Sequence, residues 1–330
     1  METPERILVT GAAGYVAKFL IPELRKRGHH LVGVDRKPMD HVDLDRTVQG
    51  DLADPYVCES ALEDIDMVYH LAAAKGDWGI SEEEYFHDNL EATDVLLDVG
   101  QDMGVHDWFF YSTVSVLGPS DEALDEEADL QPVIPYGKSK AKAEKLFWTY
   151  AEDVPSARIM ILRPSAIYGP ENPPETNIYR LIDAIERGHF VMVGKGEALK
   201  TTSHMDNLIA ATLFLQDRLF ADPEPRTETF IYVDNPVMPT RDLVDTIYRL
   251  LGKKPPSFYL PLGLAKTIAQ VSDVAADLTG IDFPITAARI EKFCTSTYFD
   301  ASALRATGFE QPVSNEDALA RTVDWHLKEA

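Results

Sequence analysis

A short apolar run that breaks into a glycine turn and then a helix stands near the start of the chain. It restricts the fold more than anything that follows. Arg6-Ile7-Leu8-Val9-Thr10 reads as a buried parallel strand. Gly11-Ala12-Ala13-Gly14-Tyr15-Val16-Ala17 follows, and Lys18 to Arg27 places apolar residues at helical spacing. Strand, glycine turn and helix in that order form a phosphate site, because backbone N–H groups and the helix N-terminus converge on one point. The spacing Gly11-x-x-Gly14-x-x-Ala17 has alanine where a third glycine is common, and alanine still permits close helix–strand packing. Alone, the turn is equally well a plain tight turn.

The next strand, Leu31 to Val34, ends in Asp35, where a carboxylate suits a ribose 2′-hydroxyl and favours NAD over NADP. Arg36 beside it suits stacking on adenine or tolerance of the NADP phosphate. Gly50-Asp51-Leu52 closes a third strand, with Asp51 either reaching the adenine amine or capping the helix from Asp54. Met67 to Ala73 is a fourth strand running into small residues that let backbone approach a cofactor. His70 within it reads as a satisfied strand histidine, since no partner is spaced for a metal. A helix from Tyr85 to Met103 carries Asn89 near its start. Strand Trp108 to Ser112 then delivers Thr113 at its C-terminal end, where doubly wound folds place their chemistry.

Asp121 to Asp129 reads as a solvated acidic loop. A helix from Tyr136 to Tyr150 follows, with Tyr136 and Lys140 one turn apart on one face. A phenol titrates near ~10, and a neighbouring ammonium favours its ionised form. The pair thus suits proton abstraction from a hydroxyl while a cofactor accepts hydride. Ala157 to Leu162 is a sixth strand. From Arg163 the pattern changes, with Pro164, Pro170, Pro173 and Pro174 punctuating a loop. The expected division is a nucleotide-binding domain over 1–165 and a substrate region over 166–330, with segments near 207–235 returning to the sheet. Helices are expected at Ile178–Arg187, Arg241–Leu251, Leu262–Leu278 and Glu316–Leu327. Lys266, Asp273 and Asp277 interrupt the apolar face of the third, which favours core packing over membrane contact.

Composition narrows the class. Lys and Arg number 31 against 55 Asp and Glu, for a net charge of −24, which repels nucleic acid and anionic lipid and also fits a saline habitat. No run of 18 apolar residues exists and the N-terminus is polar, so neither a signal peptide nor a membrane span is expected. Cys58 and Cys294 lie far apart without metal-ligand spacing, which points to inert thiols, no metal and a reducing cytoplasm.

Taken together, Thr10-Gly11-x-x-Gly14, Asp35, Gly50-Asp51-Leu52, His70-Leu71-Ala72-Ala73, Asn89, Ser112-Thr113, Tyr136-x-x-x-Lys140 and Arg163-Pro164 resemble an extended short-chain dehydrogenase/reductase of the NAD-dependent epimerase/dehydratase type. The resemblance spans nearly the whole chain. It implies an α/β, Rossmann-type doubly wound parallel sheet with a smaller, mostly helical C-terminal substrate domain. It also implies bound NAD and a homodimer packed through helices such as Tyr85–Met103 and Tyr136–Tyr150. By position, Thr113, Tyr136 and Lys140 match catalytic residues. Gly11, Ala13, Gly14, Tyr15 and Val16 match the phosphate turn, and Asp35, Arg36, Asp51 and Leu52 the adenosine end. Leu71, Ala72, Ala73, Asn89, Ser112, Tyr136, Lys140, Pro164 and Ala166 match positions along the rest of the cofactor.

Gly194 to Asn207 is similar to the stretch that in sugar-nucleotide enzymes carries a diphosphate-binding arginine; Lys200 stands there, with the charge but without the bidentate fork. Arg289 to Thr297 and Asn177 to Tyr179 resemble segments of epimerases acting on UDP-sugars or polyprenyl-diphosphate sugars. Lys75, Asn177, Lys200 and Arg289, with Thr113, are therefore the candidate substrate contacts. Lys292 is equally an ordinary surface cation. Val114 and Ser115 stand where 4,6-dehydratases carry an Asp-Glu pair, and Ser115 where decarboxylases use a Glu, so dehydration and decarboxylation are disfavoured. Ala166 replaces an asparagine that often meets the sugar diphosphate. Arg163 to Pro170 also has similar forms in 3β-hydroxysteroid dehydrogenases. The readings left are a sugar 4-epimerase, an NAD(P)-dependent alcohol dehydrogenase or ketoreductase, and a redox-inactive NAD-sensing protein.

Overall fold

The computed structural model describes residues 5–39, 42–75, 79–265, 267 and 297–329. In chain order its strands are β1 (Arg6–Thr10), β2 (His30–Asp35), β3 (Arg46–Gln49), β4 (Met67–His70), β5 (Asp107–Tyr111), β6 (Ser120–Leu124), β7 (Arg158–Pro164), β8 (Ala166–Tyr168), β9 (Leu199–Lys200), β10 (Thr202–His204), β11 (Arg226–Tyr232), β12 (Met238–Pro239) and β13 (Thr297–Phe299). The helices are α1 (Tyr15–Lys26), α2 (Pro55–Leu62), α3 (Glu82–Phe86), α4 (Ala92–Asp102), α5 (Pro135–Asp153), α6 (Asn177–Glu186), α7 (Met205–Ala221), α8 (Thr240–Leu250), α9 (Ser302–Ala306) and α10 (Asn315–Glu329).

Seven strands form one sheet in the order β11-β7-β5-β4-β1-β2-β3, every pair parallel. This is the Rossmann-type sheet that the apolar runs predict. Along β1, Ile7 and Val9 face one layer and Leu8 the other, so each face needs its own cover. Leu20 and Leu24 of α1 with Leu208 and Leu215 of α7 fill the first layer. Ala61 of α2, Leu96 of α4 and Phe147 of α5 fill the second, around Trp108 and Phe110. Strand order reverses between β1 and β4, which opens a crevice at their C-terminal ends.

β11 returns to the sheet by pairing with β7 from Arg226↔Arg158 to Tyr232↔Pro164. Beyond the sheet, α6, α8 and α10 share a separate core around Ile182, Ile247 and Leu319. A small sheet runs β12-β9-β13-β6, and β8 pairs with β10. The expectation of a purely solvated loop over Asp121–Asp129 is corrected here. Its first part is the edge strand β6, and Glu126 turns inward to accept the Ile231 N–H at 2.7 Å. Most of the helix expected at Leu262–Leu278 lies outside the described residues, as do Arg289 and Cys294. Its described start leaves Leu262 and Leu264 exposed rather than packed.

Candidate active site

The crevice is built first from backbone. Gly11 has φ +66°, and a Cβ there would lie 2.8 Å from Ala72 Cα, so only glycine lets the β1 turn touch the chain leaving β4. Gly14 donates its N–H to the Gly11 carbonyl at 2.8 Å and N-caps α1 without any side-chain acceptor. The Thr10 hydroxyl accepts the Leu71 and Ala72 N–H groups, each at 3.1 Å, so its own proton goes to His70 Nδ1 at 2.8 Å. His70 Nε2 therefore carries the ring proton and donates to Thr93 Oγ1 at 2.9 Å, which donates to the Asn89 carbonyl at 2.8 Å. Burial, with the nearby Lys140 cation, holds the His70 pKa well below its ordinary value. The ring is a neutral strut. Asn89 sits in a π turn, His87–Glu91, between α3 and α4, a departure from the single helix expected. Its amide accepts the Ala74 N–H at 2.7 Å and donates to Ser139 at 2.9 Å, tying the crevice wall to α5.

At the far end, Asp35 Oδ2 accepts the Ala13 N–H at 3.1 Å and Oδ1 accepts that of Lys37 at 2.8 Å. The carboxylate is fixed against the glycine turn, with lone pairs left for a further donor. Arg36 is engaged: it grips Asp88 with both terminal nitrogens and stands 3.6 Å from Asp51. Asp51 accepts the Ala53 N–H at 3.0 Å, while Asp54 caps α2 through Tyr56 N–H, so the capping alternative for Asp51 gives way to Asp54. Leu52 is buried beneath this end. Tyr15, followed by Val16 in the first turn of α1, donates its hydroxyl to the Pro170 carbonyl at 2.8 Å; Lys75 Nζ lies 5.9 Å from its ring centroid. Desolvation lowers the Lys75 pKa, against the pull of Glu175. The uncapped α1 N-terminus, the glycine that closes on Ala72 and the fixed Asp35 fit a dinucleotide.

Thr113 leaves β5 as the N-cap of a short 3-10 turn, its hydroxyl accepting the Ser115 N–H and donating to Ser115 Oγ, each at 3.2 Å. α5 begins at Pro135, whose fixed φ suits a first helical position, and so presents Tyr136 at once. Gly137 permits the approach, since a Cβ there would lie 2.5 Å from the Ser115 carbonyl. The Thr113 hydroxyl favours the ionised form of the Tyr136 phenol, and the Tyr85 ring lies 6.0 Å from that of Tyr136. Lys140 is 1% exposed, with Nζ 4.0 Å from the centroid of Phe110.

Burial pushes the Tyr136 phenol up to about 12, against the lowering influence of Thr113. Burial likewise brings Lys140 down to about 7, although Glu144 pulls the other way. The expectation that the Lys140 ammonium favours the phenolate meets a larger opposing effect here. Within the protein alone, desolvation sets the direction for both groups.

Two residues of this site were not anticipated. Glu144, one turn beyond Lys140, accepts from Ser112 and pairs with Arg163 through Nε at 3.0 Å and Nη2 at 2.7 Å, entirely inside the protein. The spacing Tyr136-x-x-x-Lys140-x-x-x-Glu144 carried that signal, because all three share one helix face. Tyr85 carried none, as it reaches Tyr136 only through packing.

The model of the NAD dependent epimerase/dehydratase family matches residues 7–229. The chain belongs to that family. Its cofactor is accordingly NAD. Among curated relatives, an N-acetyl-alpha-D-glucosaminyl-diphospho-ditrans,octacis-undecaprenol 4-epimerase of Escherichia coli O157:H7 is 30% identical, covering 99% of this chain and 96% of its own. A 2-alkyl-3-oxoalkanoate reductase of Stenotrophomonas maltophilia (strain K279a) is 26% identical, covering 96% and 98%. Of solved structures, MoeE5 in complex with UDP-glucuronic acid and NAD superposes with TM-score 0.78 at 26% identity, covering 98% of this chain and 100% of that one.

Within this family member, Ser112, Thr113, Tyr136 and Lys140 come together at the ends of β5 and α5. Leu71, Ala72 and Ala73 follow β4 along the crevice, Pro164 ends β7, and Ala166 opens β8 with its side chain exposed. The other substrate candidates lie on separate elements. Asn177 is the exposed first residue of α6, and Lys200 sits in β9 between Met238 of β12 and Thr297 of β13. Arg289 lies outside the described residues.

Proposed function

We propose that the protein is a sugar 4-epimerase whose substrate carries its sugar on a diphosphate, from a nucleotide or a polyprenol. The observation that carries this reading is the Tyr136 phenol beside Thr113, which is followed by Val114 and Ser115 rather than by carboxylic acids. Val114 cannot move a proton, and the Ser115 hydroxyl is already bonded to Thr113. Such a site handles one carbinol and expels no water. Tyr136 takes the proton of the carbon-4 hydroxyl and later returns it, and Thr113 holds the reacting oxygen. Lys140 binds the nicotinamide ribose. When bound, NAD supplies the hydride acceptor at carbon 4 and a positive charge that favours the Tyr136 phenolate. The 4-keto sugar turns over in the pocket, so NAD is regenerated within each cycle.

The Escherichia coli relative, aligned over 99% of the chain, supports this reading. The reductase relative and the exposed Ala166 favour the second one, a net dehydrogenase or ketoreductase of apolar substrates. A homodimer packed through α3–α4 and α5, in the cytoplasm, belongs to the same proposal. Among the described residues no helix is long and apolar enough to cross a membrane. The test is to follow a panel of UDP-sugars by NMR with purified protein while reading the NADH absorbance. Interconversion of 4-epimers without NADH in solution is expected; stoichiometric NADH release with no epimer would replace the epimerase by the dehydrogenase.

A further inference from the structure

Two consecutive residues of the π turn His87–Glu91 serve different parts of the crevice. Asn89 turns into the wall, toward Ala74 and Ser139. Asp88 reaches instead to Arg36, 52 residues earlier, and takes both of its terminal nitrogens, Nη1 at 3.0 Å. His87 Nδ1 lies 3.0 Å from the same carboxylate oxygen, Oδ1. The Asp88 side chain is 12% exposed and that of Arg36 57%, so the carboxylate is the fixed member of the pair and the guanidinium the one with room to move. Gln49 donates from Nε2 to the Arg36 carbonyl at 3.0 Å, which fixes the backbone there and leaves only the side chain a choice of partner. Asp51 stands 3.6 Å from the same guanidinium.

Arg36 directly follows Asp35, the carboxylate placed for a ribose 2′-hydroxyl. An arginine near that position is the group that accommodates the 2′-phosphate of NADP, because its planar fork matches two phosphate oxygens at once. Here a carboxylate of the same bidentate geometry already fills the fork. We propose that Asp88 is a positioning residue for cofactor choice: by holding Arg36 it withholds that guanidinium from a 2′-phosphate and so reserves the site for NAD. Asp35 repels the phosphate, and Asp88 removes the counter-charge that would offset the repulsion. Lys37, the next residue, gives its backbone N–H to Asp35 Oδ1 at 2.8 Å, and its ammonium has no bidentate fork. The π turn thus gains a second task beyond orienting Asn89. The proposal concerns the dinucleotide alone, so it holds for an epimerase and for a dehydrogenase alike.

Equilibrium dialysis of the full chain against mixed NAD and NADP, with the retained dinucleotides separated by chromatography, reads the choice as a bound NADP:NAD ratio. Asp88→Asn keeps the shape of the side chain and removes its charge. It should raise that ratio by about five-fold, the upper scale of a partly exposed ion pair. Asp88→Ala, which leaves no acceptor at all, should raise it at least as far. In an Arg36→Ala background, adding Asp88→Asn should change the ratio by less than about two-fold, because the guanidinium it would free is absent. Asp88→Asn should still bind NAD, which shows that it folds. An unchanged ratio in both Asp88 variants overturns the proposal. An equal rise with and without Arg36 assigns the effect to the loss of one like charge and also overturns it. Parallel loss of NAD and NADP in the Asp88 variants would make Asp88 a prop of the fold, and overturns it as well.

Discussion

Two buried histidines close two different strand ends. His70 ends β4 in the large sheet and His204 ends β10 beside it, and both are 0% exposed. Both are held neutral by burial, His204 with its pKa down to about 4. Their surroundings differ. Both His70 nitrogens are hydrogen-bonded, to Thr10 and Thr93, in a chain that fixes the cofactor wall. Among the described residues neither His204 ring nitrogen has a hydrogen-bonding partner; the nearby Asp206 carboxylate stands 3.9 Å from Nδ1. Asn172, also buried, leaves both side-chain amide atoms without a partner among the described residues. The cofactor side is thus preorganised by its own hydrogen bonds, as suits one invariant ligand. On the β10 side, desolvation of the His204 ring and the Asn172 amide is not offset by a hydrogen bond among the described residues.

If the chemistry belongs to the preorganised side, Tyr136→Phe should lower turnover by about 10²-fold or more while NAD stays bound. Single-turnover kinetics with NAD titration would read both, and a fully active variant would move the chemistry elsewhere. Next in size, His70→Phe should destabilise the fold by about 1–3 kcal/mol in urea unfolding, because the Thr10 hydroxyl loses its acceptor inside the protein. A neutral result would erase the contrast between the two histidines. Asp35→Ala should weaken NAD by about ten-fold and NADP less; equal losses in isothermal titration would remove its ribose role.

The smallest effect sharpens the comparison most. His204→Leu should change stability by less than about 1 kcal/mol, since it removes two desolvated nitrogens at similar volume. It should also flatten an acid limb. A folded pKa of about 4, below the ordinary 6.5, means that the unfolded chain binds more protons between those values. Stability therefore falls as pH drops from 6.5 to 4, and the variant should lose its share of that fall. An unchanged pH profile would show that His204 is already protonated or already satisfied.

Local spacing by itself determined a good deal. The apolar runs gave parallel strands, the glycine turn gave the first βα unit, and four-residue spacing put Tyr136 and Lys140 on one helix face. Each depends on residues within a turn or two of one another. What tertiary structure decided was the environment. The drop of Lys140 to about 7 and the rise of Tyr136 to about 12 come from the dielectric that α5 enters. Arg36 is held by Asp88, 52 residues further on, and Glu126 is drawn inward by Ile231, 105 residues away. Sequence spacing encodes which groups lie on one element; burial and long-range pairing, which set the free energy of each charge, arise only when the elements close on one another.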